Sequence, residues 1–117
     1  MPKALPVIDV TAPICCAPVA AGPVDDQAAL EVALRLKALA DPARVKLMSL
    51  LLAKGEQATG QLAEVIGLSE STVSHHLGQL RAAGLIESTR HGMSVRHQPL
   101  RNALSALCIV LDPNCCT

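Results

Sequence analysis

The chain has 117 residues, of which half are hydrophobic and none is aromatic. This length allows one domain with a thin core of Leu, Val, Ile and Ala, which favours completion of the buried surface by a second copy. Without Phe, Tyr or Trp, the usual stacking platforms for single-stranded nucleic acid are missing. Residues 1–34 hold one basic and four acidic side chains, whereas residues 35–117 hold nine and six, and this mildly basic part permits a nucleic-acid partner.

The first segment, residues 1–24, is rich in Pro, Ala and Val and shows neither a helical nor a strand period. We therefore predict an extended arm, which contains the vicinal pair Cys15 and Cys16. No secretory leader and no membrane-spanning run is visible, so we expect a cytoplasmic protein without a membrane partner. Five cysteines in a reducing compartment indicate metal binding or redox sensing rather than a disulfide framework.

Two helices follow the arm. Apolar residues at helical spacing predict a first helix, capped by Asp25 or Asp26, whose carboxylates suit the positive end of the helix dipole. The second helix has clear punctuation, because Asp41 can serve as N-cap, Pro42 fits the first helical position and Gly55 ends the segment.

A short helix, a tight turn and another helix come next. Thr59 is the predicted cap of the third helix and Gly67 its stop, whereas Ser69 caps the fourth helix and Gly84 ends it. The turn between them is only two or three residues long. Apolar positions of the fourth helix fall on one face and are Val73, Leu77, Leu80 and Ala83.

The period then changes to two. Residues 86–90 alternate, "HG" predicts a turn, and residues 93–97 alternate again, which is typical of a two-stranded hairpin. We predict that Pro99 starts a last helix, whose apolar stripe includes Cys108. Asp112 and Pro113 end this helix and leave a tail with Cys115 and Cys116.

The order of elements predicts a mainly α fold with a small β-hairpin wing, that is, a winged helix-turn-helix domain for duplex DNA. The predicted organisation is an arm over residues 1–24, a DNA-binding and dimerisation domain over residues 25–111 and a cysteine-containing tail over residues 112–117.

The stretches "LKALADPARVKLMSLL" and "LAEVIGLSESTVSHHLGQLRAAGLIEST" resemble the ArsR/SmtB family of metal- and metalloid-responsive repressors. The resemblance covers about residues 28–98. It implies a homodimer that sits on double-stranded operator DNA and leaves it when an inducer binds, with the first and last helices building the dimer interface.

Short polar side chains of the fourth helix can contact base edges and phosphates, and the hairpin tip offers further contacts. Adjacent histidines on a helix point about 100° apart, so we do not expect His75 and His76 to share a metal ion. The predicted DNA contacts are Ser69, Ser71, Thr72, Ser74, His75, His76, Gln79, Arg90 and His91.

The sensor sites of the family differ between members. The last helix of this chain lacks the His, Asp and Glu of a zinc-type site, and the third helix lacks a Cys-x-Cys pattern. Vicinal cysteines in the arm or at the end of the chain resemble those of arsenic-responsive members, in which As(III) or Sb(III) takes three thiolates. Soft thiolates select such thiophilic ions.

Each cysteine pair supplies two thiolates and needs a third. We predict that Cys15 and Cys16 bind the metalloid together with Cys115 or Cys116. In a rival arrangement Cys108 joins Cys115 and Cys116 in a second site, although a cysteine on an apolar stripe more often serves packing. A methylated trivalent arsenical would need only two thiolates.

Three alternatives compete with the metalloid-responsive repressor, namely a redox-sensing repressor, an enzyme and an interaction module that does not bind DNA. A reversible disulfide between arm and tail would make the protein a thiol-redox-sensing repressor with the same DNA-binding domain. An enzyme is disfavoured, because the cysteine pairs are not Cys-x-x-Cys motifs and no acid–base constellation accompanies them. We expect no organic cofactor.

Overall fold

The structure is a computed structural model that describes residues 22–111, with the side chains of residues 109 and 110 left aside. Five helices and three strands follow one another in the order α1 (Asp26–Leu39), α2 (Pro42–Lys54), β1 (Gln57–Ala58), α3 (Thr59–Ile66), α4 (Glu70–Ala82), β2 (Ile86–His91), β3 (Ser94–Pro99) and α5 (Arg101–Leu111). This order confirms the predicted mainly helical winged helix-turn-helix architecture.

Side-chain caps fix the starts of α1, α2 and α4. The Asp25 carboxylate accepts a hydrogen bond from the Ala28 N–H at 2.8 Å, and Asp41 accepts from the Ala43 N–H at 2.8 Å. Each cap satisfies a backbone donor that the helix itself leaves unpaired. The predicted punctuation of α2 is confirmed, because Pro42 is its first residue and Gly55, at φ 80°, follows its last turn.

The start of α3 differs from the prediction. Thr59 is the first helical residue and not the cap, and the Gln61 side chain accepts the Ala58 N–H at 2.8 Å instead. The reason is the strand β1, which the sequence pattern does not predict. Gln57 pairs with His97 and Ala58 with Arg96, so the chain runs from the sheet directly into α3.

The wing is an antiparallel hairpin within a sheet of order β1-β3-β2. Its register runs from Ile86 opposite Pro99 to His91 opposite Ser94, which leaves Gly92 and Met93 as the turn. Gly92 has φ 63°, a left-handed conformation that glycine adopts without steric cost. The hairpin prediction is confirmed, with the turn one residue later than "HG".

The prediction that Pro99 starts the last helix is wrong. Pro99 is the final residue of β3, and α5 begins at Arg101. A proline lacks the backbone donor that a further ladder bond would need, so it suits the end of a strand as well as the start of a helix. The next residue, Leu100, donates its N–H to the Leu85 carbonyl at 2.9 Å and closes the connection.

An aliphatic core joins α2, α3, α4 and the start of the wing. Its fully buried side chains are Leu47, Leu51, Leu62, Val73, Leu77, Leu80, Leu85 and Ile86. A second, smaller cluster packs Val32 of α1 against Leu107 of α5, with Leu39 and Ala106 beside them. The helix-turn-helix thus packs on the main core, whereas α1 and α5 pack against each other in the second cluster beside it.

Candidate nucleic-acid interface

The turn between α3 and α4 is short and held by local bonds. Gly67 has φ 80° and donates its N–H to the Ala63 carbonyl at 2.9 Å, which ends α3. The Ser69 hydroxyl accepts from the Thr72 N–H at 3.2 Å and lies 2.9 Å from the Thr72 Oγ1. These bonds make Ser69 the N-cap of α4, as predicted.

The outer face of α4 is polar and open. Ser71, Ser74, His75 and Gln79 are exposed and recur at the spacing of one helical face. Within residues 22–111, the side chains of Ser74 and Gln79 have no hydrogen-bond partner, so their donors and acceptors are available to a ligand. Thr72 is also exposed, although its hydroxyl is bound to Ser69.

This face and the wing tip lie on the same side of the molecule. An open groove of about 590 Å³ separates them, and its lining residues include Ser71 and Ser74 of α4 together with Met93 and Ser94 of the wing. A recognition helix beside a groove that is bordered by a hairpin is the arrangement that duplex DNA requires of a winged domain.

His76 does not share the open face. Its ring is half-buried, and its Nδ1 accepts a hydrogen bond from the Arg44 Nε at 3.1 Å, which places the ring proton on Nε2. Arg44 also donates to the Ala38 carbonyl at 3.3 Å and so ties α2 to α1 and α4. Burial raises the pKa of nearby Asp41, but the backbone N–H donors of Ala43 and Arg44, together with the positive charge of Arg44, hold that pKa below its ordinary value.

The wing tip presents Arg90 and His91 to solvent. Arg90 has no ion-pair partner among the described residues, whereas the His91 Nε2 lies 3.9 Å from the Glu56 carboxylate. Glu56 is also bound by the Arg96 Nε at 2.8 Å. The guanidinium of Arg90 at the wing tip is therefore available to bind a phosphate. The His91 ring, by contrast, lies beside the Glu56 carboxylate.

His97 connects the wing to the start of α3. It is buried, and its Nε2 lies 2.7 Å from the Thr59 hydroxyl while its Nδ1 lies 2.7 Å from the Ser88 hydroxyl. Burial lowers the pKa of His97, and the positive charge of Arg81 lowers it further. A neutral imidazole both donates and accepts, so it satisfies two hydroxyl groups at once.

The sequence predicts no role for Arg44 or His97. The alternation of β3 placed His97 on the same face as Val95, which is a signal for an inward side chain in a strand. The contact between Arg44 and His76 joins residues 32 positions apart, and no local pattern indicates it.

Four of the five cysteines of the predicted thiol site lie outside the described residues, as do most of the predicted arm and the tail; they are Cys15, Cys16, Cys115 and Cys116. Cys108 lies on α5 next to Leu107, is half-buried and is disulfide-bonded in the structure. Between residues 22 and 111, no group of three or more His, Cys, Asp or Glu is arranged to hold a metal ion.

The model of the bacterial regulatory proteins of the arsR family matches residues 41–88. The HTH-type transcriptional regulator YgaV of Escherichia coli is 31% identical over 81 residues, which are 69% of this chain and 82% of that protein. The chain belongs to the ArsR family. Another relative within this family is the regulator NmtR of Mycobacterium tuberculosis, 44% identical over 73 residues that cover 62% of this chain and 60% of NmtR.

A solved structure supports the ArsR-family assignment. It is described as the homodimeric winged helix-turn-helix DNA-binding domain of a possible ArsR-family regulator from Mycobacterium bovis. The two sequences are 33% identical and the TM-score is 0.63. The superposed part covers 77% of this chain and 85% of the Mycobacterium bovis chain. The chain spans about 60% of the length of the curated relatives that it matches first. No helix among residues 22–111 is long and apolar enough to cross a bilayer.

Proposed function

We propose that this protein is a transcriptional repressor that binds double-stranded operator DNA in the cytoplasm as a homodimer. The observation that supports this most directly is the open polar face of α4, on which Ser74, His75 and Gln79 are exposed and Ser74 lines the groove beside the wing. Side chains of this kind read base edges in the major groove, while cations such as Arg90 bind phosphates.

A dimer is supported by the outer surfaces of α1 and α5. Leu34, Leu36 and Leu111 are 43%, 38% and 41% exposed, so two neighbouring helices leave large apolar side chains in water. Association through these helices would bury them. A twofold dimer then presents two α4 helices, which must lie roughly 34 Å apart to enter successive turns of one DNA face.

DNA binding is tested by selecting a duplex from a random pool and measuring its affinity by fluorescence anisotropy at fixed salt. His75→Ala and Gln79→Ala should each weaken binding by roughly 5- to 150-fold, since a lost base contact removes about 1–3 kcal/mol. Ser49→Ala, an exposed position on α2, is the matched control and should change the affinity less than twofold. Equal DNA affinities of the wild type and all three variants would show that these α4 side chains do not contact the DNA.

The inducer that we propose is As(III) or Sb(III), held by the thiolates of Cys15 and Cys16 with a third from Cys115 or Cys116. The two vicinal pairs support this assignment, because thiolates select thiophilic ions and a thiol cluster disfavours hard cations. The rival site joins Cys108 to Cys115 and Cys116. An inducer that couples to DNA binding by about 1–3 kcal/mol would lower operator affinity roughly 5- to 150-fold.

A redox switch is the second candidate, and the disulfide at Cys108 favours it. In this reading two thiols lose two protons and two electrons to an oxidant such as a peroxide, and the new disulfide alters the flank where α1 meets α5. Cys108 is suited to this role by its place beside Leu107, which packs on Val32 of α1.

One titration separates the two candidates. Arsenite is added to the protein–DNA complex under an excess of a phosphine reductant, and free thiols are counted in parallel. Release of DNA while every thiol stays reduced supports the metalloid sensor. If arsenite has no effect and DNA is released only when peroxide is added after the reductant has been removed, the redox switch is supported. Cys→Ser variants, one position at a time, then assign the ligands; normal arsenite binding by both Cys15→Ser and Cys16→Ser would eliminate the arm site.

A further inference from the structure

A cavity of about 470 Å³ lies between α1, α2 and the end of α4. Its size falls within the range of about 300–1,000 Å³ that is typical of small-molecule sites. Three cationic side chains contribute to its wall, together with one amide and a set of mostly small apolar side chains, and the lining residues are Leu34, Arg35, Lys37, Ala38, Ala40, Arg44, Gln79, Ala82 and Ala83.

Arg35 is the unusual member of this wall. It is 3% exposed, and within residues 22–111 the only hydrogen bond of its side chain joins the Nη1 to the Glu31 carbonyl of its own helix at 3.1 Å. Its Nε is buried and has no partner, and no carboxylate within residues 22–111 forms an ion pair with it. A guanidinium stays charged at any physiological pH, so burying it without an anion is unfavourable.

The rest of the cavity has the same charge. Arg44 directs its Nε to His76 and its Nη1 to the Ala38 carbonyl, so both bonds go to neutral acceptors. Lys37 adds a third positive charge, and Gln79 can donate or accept. None of the described lining residues is acidic. Residues 22–111 therefore provide no counter-ion for these positive charges.

We propose that this cavity binds a small organic anion, whose carboxylate or phosphate group pairs with Arg35 and Arg44 and whose short apolar body packs on the alanines. Guanidinium groups bind such anions through two parallel N–H donors, which gives both affinity and orientation. The described lining residues include no cysteine, so the contacts that we propose for the anion do not involve the thiols that we propose for the inducer.

The test uses the full-length protein and three probes, namely acetate, hexanoate and inorganic phosphate, each against sodium chloride at equal ionic strength. Isothermal titration calorimetry should show saturable binding, and hexanoate should bind more tightly than acetate because its chain fills the apolar part of the cavity. Saturable binding of phosphate with none of hexanoate would assign the head group as a phosphate. Chloride alone should give no saturable signal.

Three variants make the site specific. Arg35→Met removes the buried charge and should weaken binding at least tenfold, while the protein should remain folded because the unpaired guanidinium is gone. Arg35→Lys keeps the charge but not the planar fork, and we expect an intermediate loss. Lys46→Met removes one charge from the exposed face of α2 and should bind like the wild type.

Two results would overturn the proposal. One is the absence of saturable binding for all three anions, as expected if a partner protomer fills the cavity. The other is unchanged binding in Arg35→Met, which would place the anion elsewhere. Loss of DNA binding in His75→Ala, or of the arsenite response in the Cys→Ser variants, has no bearing on either result, because His75 and the cysteines are not among the described residues that line the cavity.

Discussion

The contact of His97 with Thr59 and Ser88 supports a quantitative prediction about the joint between the wing and α3. His97→Leu places an apolar side chain of similar size in the same buried position and removes both ring nitrogens. The hydroxyl groups of Thr59 and Ser88 then each lose a bond of 2.7 Å.

The size of the effect follows from these two bonds. One hydrogen bond contributes about 1 kcal/mol net to stability, so the variant should lose about 2 kcal/mol of unfolding free energy. Thr59→Val alone should cost about 1 kcal/mol for the same reason. In the His97→Leu background, Thr59→Val should cost almost nothing, because the bond it removes is already absent. The expected coupling energy is therefore about 1 kcal/mol.

Urea unfolding measures these energies, followed by circular dichroism at 222 nm because the chain contains neither Trp nor Tyr. Protein concentration is held constant, since the stability of a dimer depends on it. Thr89→Val, the same substitution at an exposed position of β2, is the control. Additive effects of His97→Leu and Thr59→Val, within about 0.3 kcal/mol, would refute the proposed joint.

The pH dependence gives a second readout of the same residue. The pKa of His97 is lowered from 6.5 in the folded protein by burial and by the charge of Arg81. The unfolded chain therefore binds the proton more readily, and stability is lost as the pH falls below about 6.5. The urea midpoint of the wild type should fall between pH 7 and pH 5 by more than that of His97→Leu. Equal falls in the two proteins would contradict the assignment.

Three further substitutions test the helix-turn-helix, each by urea unfolding. Ser69→Ala removes the cap of α4 and should cost about 1 kcal/mol, whereas Ser105→Ala on the exposed face of α5 should be near neutral. Gly67→Ala places a side chain at φ 80° and should cost about 1–2 kcal/mol, and a neutral result would mean that the turn relaxes. Leu80→Ala, at a fully buried core position, should cost about 2–5 kcal/mol, and a loss below 1 kcal/mol would show that the core collapses around it.

Local chemistry explains what the sequence predicts well. The cap, proline and glycine of α2 act within a few residues of one another, so Asp41, Pro42 and Gly55 mark its ends without reference to the rest of the chain. The same holds for Ser69 and Gly67 around the turn. The open face of α4 also follows from periodicity. The apolar residues of this helix fall on one side, which must face the core, so the polar side faces outward.

Long-range contacts explain the rest. The two-residue strand β1 exists only because β3, some forty positions later, pairs with it, and its presence moves the start of α3. His76 fits the polar pattern of α4 as well as Gln79 does, but Arg44 from another helix engages it. Arg35 lies among apolar neighbours in α1, and only the tertiary structure shows that its guanidinium is buried without a counter-ion.

The passage from β1 into α3 also constrains the length of the chain. One residue added between Gly55 and Thr59 would turn the side chains of β1 to the opposite face of the sheet. If β1 kept its register instead, α3 would rotate by about 100°, which would carry Leu62 out of the core. At the wing tip, by contrast, Gly92 and the fully exposed Met93 contact nothing that fixes their number. Insertions should therefore be tolerated at the tip and rejected at the joint.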